Sequence, residues 1–369
     1  MFPIGTFLIS VGAISGLSAV LALLMVIADA TIANYGEVQL KINDDKEFTV
    51  QGGRPLLSTL MGENIFIPSA CGGRGSCGLC KLKIESGVGA YLPTELPWIS
   101  EEEKKENIRL SCQVKVKTDM AIRIPEELFN VKEYKARVTR IRELTYDIKE
   151  VYMELLEPSS ISFRAGQFIQ FKVPEYDLTD EPVYRAYSMS SAPSDTGNVE
   201  IEVRLVPNGI CTTYVHQYLK EGDTVTINGP YGEFFLRDSE RNIVFVAGGS
   251  GNAPIKAILS SMIEKGINRK ATYFFGARSK RDLFLVEEMR ELEKKLPQFT
   301  YVPALSEPLP EDKWEGETGL ITDVLSRFMK SGDNVEAYLC GSPGMINACI
   351  KVFQDKGVPE NLIYFDKFA

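Results

Sequence analysis

CGGRGSCGLC, residues 71–80, is the stretch from which the rest of this sequence is read. Its cysteines, Cys71, Cys77 and Cys80, are separated by five and then two residues, with Gly72, Gly73, Gly75 and Gly78 among them. A fourth, Cys112, follows in RLSCQV after 31 intervening residues. A C-x4-C-x2-C run with a distant fourth cysteine is a thiolate set that holds a [2Fe–2S] cluster. The spacing here differs by one residue in the first gap. Two irons need four thiolates, and a loop wrapped round a cluster must bring backbone N–H groups close to its sulfurs. Glycine permits that approach, and backbone angles denied to other residues. A four-cysteine zinc site is the rival, but structural zinc usually pairs two short cysteine hooks, and Cys112 has no such neighbour. A disulfide scaffold fits so long a chain less well.

The length of 369 residues predicts two or three domains, each able to bury its own core. Hydrophobic content of 44% and charged content of 25% are those of ordinary globular proteins. A net charge of −9 argues against nucleic acid as a partner. Beyond the four cysteines above, Cys211, Cys340 and Cys349 remain, an odd number that suits a reducing compartment. The single histidine, His216, argues against a histidine-based hydrolase or a histidine-rich metal site.

Residues 2–28 carry no charged side chain, long enough as a helix to cross a bilayer core of about 30 Å. The expectation is one N-terminal transmembrane helix, residues 1–30, in which Gly12 and Gly16 would let another helix pack closely or simply face lipid. A cleaved signal peptide fits less well, because there is no basic leading segment and the apolar run is long. VQLKIN and KEFTVQ then read as alternating strands, PLLSTLMGENI as a short helix, and KLKIESG and MAIRIPEE as strands. This order of hairpin, helix and cysteine loop over residues 36–128 resembles the β-grasp fold of plant-type ferredoxins.

From residue 131 to 238 the texture changes to short strands, among them YKARVTRIRELT, IKEVYMELLE, GQFIQFKVP, VEIEVRLV and DTVTINGPYG. Turn residues between them predict an antiparallel β-barrel. From 239 to 369 strands alternate with helices, which predicts an α/β domain built on a parallel sheet. There NIVFVAGGSG is a buried strand entering a glycine turn, and APIKAILSSMIEKG is an amphipathic helix. A glycine turn before a helix offers backbone N–H groups and a positive helix end to a pyrophosphate.

Taken together the blocks resemble the ferredoxin-NADP reductase superfamily with an N-terminal ferredoxin domain. The residues that carry the resemblance are RAYSMSS, NGICTTY, GPYGEF, VAGGSGNAPIKAI, FGARSKRDLF and LCGSPGM. Within it, the anchor and the segments LPTEL, SCQVKVKTDM and IPEELFNVKEY are similar to the family of F subunits of sodium-translocating NADH:quinone oxidoreductases. Two departures stand out: Ser250 and Asn252 in the glycine loop, and Ser342 where a proline is common.

The resemblance implies FAD held by Arg185, Ala186, Tyr187, Ser188 and by Asn208, Gly209, Ile210, Cys211, Thr212 and Thr213. NADH would meet Gly248, Gly249, Ser250, Gly251, Asn252 and Ala253, then Gly276 and Arg278, then Cys340 and Gly341. Ser188, Cys340 and Phe368 would stand at the hydride-transfer position, with Phe368 stacked on the flavin and Phe365 its competitor. Cys71, Cys77, Cys80 and Cys112 would hold the cluster. The implied partners are membrane subunits of a redox-driven ion pump, with quinone reached through them. The implied location is the bacterial inner membrane, crossed once, with the redox domains cytoplasmic. Two alternatives are the reductase component of a multicomponent oxygenase and a non-catalytic assembly module with degenerate redox domains.

Overall fold

The computed structural model describes residues 4–32, 35–43 and 45–368. It begins with helix α1, Ile4–Ile32. Side chains of α1 are described at Ile9 and over 11–26, and they are exposed, Ile14, Leu17, Leu21 and Leu24 among them. Among the described residues no helix is long and apolar enough to cross a membrane. Residues 1–3 of the expected anchor lie outside the described residues.

Two compact units follow from the packing, Met1–Ile67 with Gly73–Phe129, and Pro68–Gly72 with Asn130–Ala369. The first unit holds strands β1 (Glu37–Ile42) and β2 (Lys46–Gln51), helix α2 (Leu56–Gly62) and strand β3 (Lys81–Ser86). Helix α3 (Glu101–Lys105) and strands β4 (Ile108–Leu110) and β5 (Met120–Arg123) complete it. The sheet order is β2-β1-β5-β3-β4, with β1 and β5 parallel and the other pairs antiparallel. Alternate residues of β1 (Val38, Leu40, Ile42) point into a core shared with Leu56, Leu60, Ile84, Leu110 and Val116. Cys80 and Cys112 belong to that same core.

The second unit opens with strands β6 (Lys132–Glu143), β7 (Ile148–Glu157), β8 (Phe168–Val173), β9 (Val183–Ser188) and β10 (Asn198–Arg204). Helix α4 (Ile210–Gln217) and strand β11 (Thr224–Tyr231) follow. They form one antiparallel sheet, β10-β7-β6-β11-β8-β9, whose edge strands meet through the single bridge Met189–Ile201. The expected barrel is therefore a curled sheet closed at one point of its seam. RAYS lies within β9, and NGICTTY builds α4, an element that short-range patterning did not identify.

The rest of this unit alternates strand and helix. It runs β12 (Asn242–Gly248), α5 (Asn252–Glu264), β13 (Ala271–Ala277), α6 (Val286–Lys295) and β14 (Phe299–Leu305). Then come β15 (Glu317–Thr318), α7 (Ile321–Phe328), β16 (Val335–Gly341), α8 (Pro343–Asp355) and β17 (Ile363–Lys367). The sheet order β15-β14-β13-β12-β16-β17 is parallel throughout. Successive strands add outward from β12 on one side, and β16 then restarts on the other. Such a reversal opens a crevice at the carboxyl ends of the two central strands, where α/β sheets take their ligands. One core passes from Ile148 of β7 and the loop residues Ala165 and Phe234 into Phe245, Ile255, Ile258, Tyr273 and Cys340, so the two halves of this unit share buried surface.

Candidate redox site

In the first unit, the loop carrying Cys77 and Cys80 has no regular structure, and its glycines explain its path. Gly78 has φ +70°, and a Cβ there would stand 2.7 Å from the Trp98 ring, so any side chain is both strained and obstructed. Cys80 and Cys112 are buried, whereas Cys71 and Cys77 are half-buried, and all four thiols are free of disulfides. Cys80 and Cys112 are brought together: a hydrogen bond between their thiols, followed by burial, pushes the Cys80 thiol far up. Among the described residues no three Cys, His, Asp or Glu side chains converge closely enough to hold a metal ion. The donor chemistry still fits an iron–sulfur cluster, because two buried sulfurs facing one another suit a shared cation and leave each thiolate costly without one.

Supports for Cys112 come from a segment that sequence reading recognised only as a resemblance. Gln113 Nε2 donates to Cys112 Sγ at 3.4 Å, and Thr94 Oγ1 donates to Gln113 Oε1 at 2.9 Å, which turns the amide so that its N–H faces sulfur. Hydrogen bonds to cluster sulfurs are one of the means by which proteins set reduction potential. Next to Thr94, the buried Glu95 pairs with the buried Arg109 at 2.5 Å, and Arg109 also donates to the Gly89 and Ala90 carbonyls. Burial alone would raise the Glu95 carboxyl, but Arg109 and the Leu92 N–H outweigh it and hold it below its ordinary value. Breaking so buried a pair costs about 3–5 kcal/mol, since the survivor is left uncompensated. The strand leading to Cys112 is thus pinned.

In the second unit, Arg185, Ala186 and Tyr187 are half-buried and Ser188 is buried at the end of β9. Arg185 Nη1 donates to the Tyr184 carbonyl at 2.8 Å. Tyr187 packs edge-on to Phe171, and burial pushes its phenol up strongly, so it is a neutral hydrogen-bonding group. Asn208 takes a left-handed backbone (φ +58°) and Gly209 caps α4. The Thr212 hydroxyl spends its bonds inside this loop, accepting from Val206 N–H at 3.1 Å. Cys211 faces the core, whereas Ile210 and Thr213 are half-buried. A cavity of about 610 Å³ opens beside them, lined by Tyr146, Asp147, Arg204, Asn208 and Thr213 among others. Its size and polar rim fit part of a dinucleotide.

Gly248–Gly251 leaves β12 at the crevice, and Cys340–Gly341 leaves β16 beside it. The two turns touch: a Cβ on Gly251 would lie 2.3 Å from the Cys340 carbonyl oxygen. Gly251 has ordinary helical angles (φ −62°), so glycine is needed there for space and not for conformation. Ser250 is half-buried at the turn, and Asn252 and Ala253 are buried at the start of α5. Gly276 lies near the end of the neighbouring strand, and Arg278 beyond it is exposed and paired with Glu307 at 2.8 Å. Cys340 is wholly buried, and desolvation, with Asp366 and Glu202 adding, pushes its thiol well above the usual range. Ser342 accepts from the Met345 N–H and so caps α8, a role its proline counterpart lacks.

Phe368 continues the last strand by donating its N–H to the Gly341 carbonyl at 2.8 Å, and its ring is half-buried. Phe365 is exposed, with the Lys367 ammonium 4.7 Å from its ring centre. Asp366, which sequence reading missed, pairs with Cys340 across β16 and β17, and burial raises its carboxyl to about 6. Its signal was the position two residues before Phe368. Arg204 was missed as well; a Cβ on Gly249 would lie 3.5 Å from its guanidinium, which Asp147 holds at 2.9 Å.

Three family models match the chain in order. They are a 2Fe-2S iron-sulfur cluster binding domain at residues 40–117, an oxidoreductase FAD-binding domain at 135–236 and an oxidoreductase NAD-binding domain at 245–351. The F subunit of the Na(+)-translocating NADH-quinone reductase of Neisseria meningitidis (strain ATCC 700532 / DSM 15464 / FAM18) is 40% identical, over 95% of this chain and 96% of that protein. The corresponding F subunit of Actinobacillus succinogenes is 39% identical over 98% and 99%. Among solved structures, an Amycolatopsis cytochrome P450 reductase superposes with TM-score 0.72 at 26% identity, covering 90% of this chain and 98% of that one. A ferredoxin reductase in carbazole 1,9a-dioxygenase gives 0.69 at 27%, covering 90% and 99%. Near-complete coverage at 40% identity, with the three domains in order, places this chain in the family of F subunits of Na(+)-translocating NADH-quinone reductases.

Proposed function

We propose that this chain is the NADH-oxidising subunit of a membrane complex that reduces quinone and moves sodium, and that it carries FAD and a [2Fe–2S] cluster. The observation that supports the reading most is the crevice between β12 and β16, where the glycine turn, Cys340 and the last strand meet. When bound, FAD accepts two electrons as hydride and releases them singly, which joins nicotinamide chemistry to a one-electron cluster. The chain's own residues supply position. Arg185, Ala186, Tyr187, Ser188 and the 208–213 segment hold FAD, and the N-terminus of α4 offers N–H groups to its phosphates. Gly248–Ala253, Gly276, Arg278, Cys340 and Gly341 hold NADH. Cys340 contributes a neutral, water-excluding thiol beside the ring. Cys71, Cys77, Cys80 and Cys112 hold the cluster within residues 36–128, and the other two cofactor domains span 131–238 and 239–369.

Residues 1–30 serve as a single-pass anchor in the bacterial inner membrane, with the redox domains on the cytoplasmic side. Partner subunits receive the electrons, and one helix cannot enclose an ion path, so sodium passes through them. The oxygenase-reductase reading draws on structures of 26–27% identity, well below the 40% of the F-subunit relatives. Purified with its membrane partners, the protein is expected to drive NADH-dependent quinone reduction that sodium accelerates. Electron delivery to a soluble acceptor protein alone, with no sodium effect, would remove this reading.

Phe368 would cover the flavin face until nicotinamide displaced it; its backbone bond to Gly341 and its half-buried ring support that role over the exposed Phe365. Removing Phe368 and Ala369 is expected to alter flavin absorbance and nicotinamide affinity together. Unchanged values of both would reassign the ring to packing.

A further inference from the structure

The buried acid Glu202 has no part in the scheme above, yet the fold brings it to the same place. The bridge Met189–Ile201, with the Ser190 N–H on the Glu200 carbonyl at 2.8 Å, puts Glu202 opposite Ser188 in the antiparallel register. From the parallel sheet, Tyr273 O–H donates to Asn252 Oδ1 at 2.9 Å, and Asn252 Nδ2 donates to Glu202 Oε1 at 2.8 Å. Asn252 follows directly on Gly251, whose backbone packs against Cys340. Glu202 is 3% exposed, and its second oxygen, also buried, has no hydrogen-bond partner among the described residues.

Neighbouring charges are already committed. Lys256 of α5 bonds Glu200 of β10 at 2.5 Å and Glu150 of β7 at 3.1 Å, and Arg140 and Arg142 of β6 face Glu150 at 3.5 and 3.3 Å. Glu200 also accepts from Ser190 Oγ at 2.7 Å. Glu202 is left with an amide and a view of Tyr273 and Cys340, both of which feel its charge. Asn252, one of the two departures in the glycine loop, is the residue that reaches it.

We propose that Glu202 is a positioning residue of the nicotinamide site: through Asn252 it fixes the Gly248–Gly251 turn, and as a carboxylate it favours the cationic oxidised nicotinamide over the neutral reduced one. The proposal rests on the reading of this chain as an NADH-oxidising flavoprotein. Burial raises the carboxyl to about 8, with Lys256 and Asn252 opposing and Glu200 and Glu150 adding. The group therefore changes charge near pH 8, and a positive ring bound nearby draws its proton off.

The test uses the full-length protein with FAD bound, titrated with NAD+ and NADH below and above about pH 8. NAD+ affinity is expected to rise roughly fivefold with pH, as one partly screened charge contact allows, while NADH affinity stays level. NAD+ binding near that pH should also release a proton, seen as a dependence of binding heat on buffer ionisation. In Glu202→Gln, which is neutral at every pH, both effects should vanish. The linkage has a definite sign in stability too. The folded carboxyl sits above its ordinary 4.5, so its contribution is full below that value and is lost as pH rises to about 8. Glu202→Gln should flatten that fall in melting temperature. The same NAD+ pH dependence in the variant overturns the proposal. If the variant does not fold, absence of proton release in the wild type overturns it instead. A wild-type protein whose flavin NADH never reduces would overturn the functional reading itself, a distinct result.

Discussion

Cys77→Ala is expected to stop electron delivery beyond the flavin while NADH still reduces the flavin. Cys77 is half-buried on its loop and takes no part in the core formed by Leu40, Leu56, Ile84, Leu110 and Val116, so the fold of its unit does not depend on it. The flavin and nicotinamide segments have their own cores, built round Val151, Ile169 and Val203 and round Phe245, Ile258 and Tyr273. What is lost is a cluster ligand. Loss of a mere outer-shell partner already costs about 10–100-fold at metal sites, so quinone reduction should fall by at least that factor. The iron–sulfur absorbance should disappear, and small acceptors that read the flavin should still turn over. Quinone reduction that survives in the variant would mean that the electrons take another route.

Gly251→Ala is expected to weaken nicotinamide binding by roughly 10–100-fold, since overpacking of about 1–3 kcal/mol corresponds to one to two decades. The added methyl would lie 2.3 Å from the Cys340 carbonyl oxygen, 2.6 Å from its carbon and 3.0 Å from the Gly341 nitrogen. All three are backbone atoms of β16 and its turn, so no change of rotamer relieves the clash. The glycine turn must move away from Cys340, and the crevice widens where the ring is to be held. Gly248→Ala is the milder comparison: its Cβ would meet the Gly276 carbonyl oxygen at 3.2 Å and Met345 Sδ at 3.3 Å, longer contacts of which the flexible thioether can yield. NADH binding measured by flavin quenching should separate the two variants. Wild-type affinity in Gly251→Ala would show that the turn is not where nicotinamide docks.

The kinds of cofactor, the family and the alternation of strands and helices were legible in the sequence because each rests on local patterns. Cysteine spacing, glycine turns before helices and period-two or period-3.6 hydrophobicity all act within about ten residues. Even the departures carried information, for Ser342 caps α8 and Asn252 bonds Glu202. What lay beyond reach were relations set by strand register and by packing between distant segments. RAYS is a strand only because β8 pairs with it, and β17 exists as a strand because β16 does. Asp366 meets Cys340 across 26 positions of sequence, Gln113 is aimed at Cys112 by Thr94, and Glu202 finds Ser188 across a seam closed by one bridge. Lone acids and amides such as these carry no spacing signal of their own. Residue types and short spacings alone name the chemistry; only the tertiary fold removes water from particular side chains and sets their neighbours, and those two things decide which acids hold protons and where.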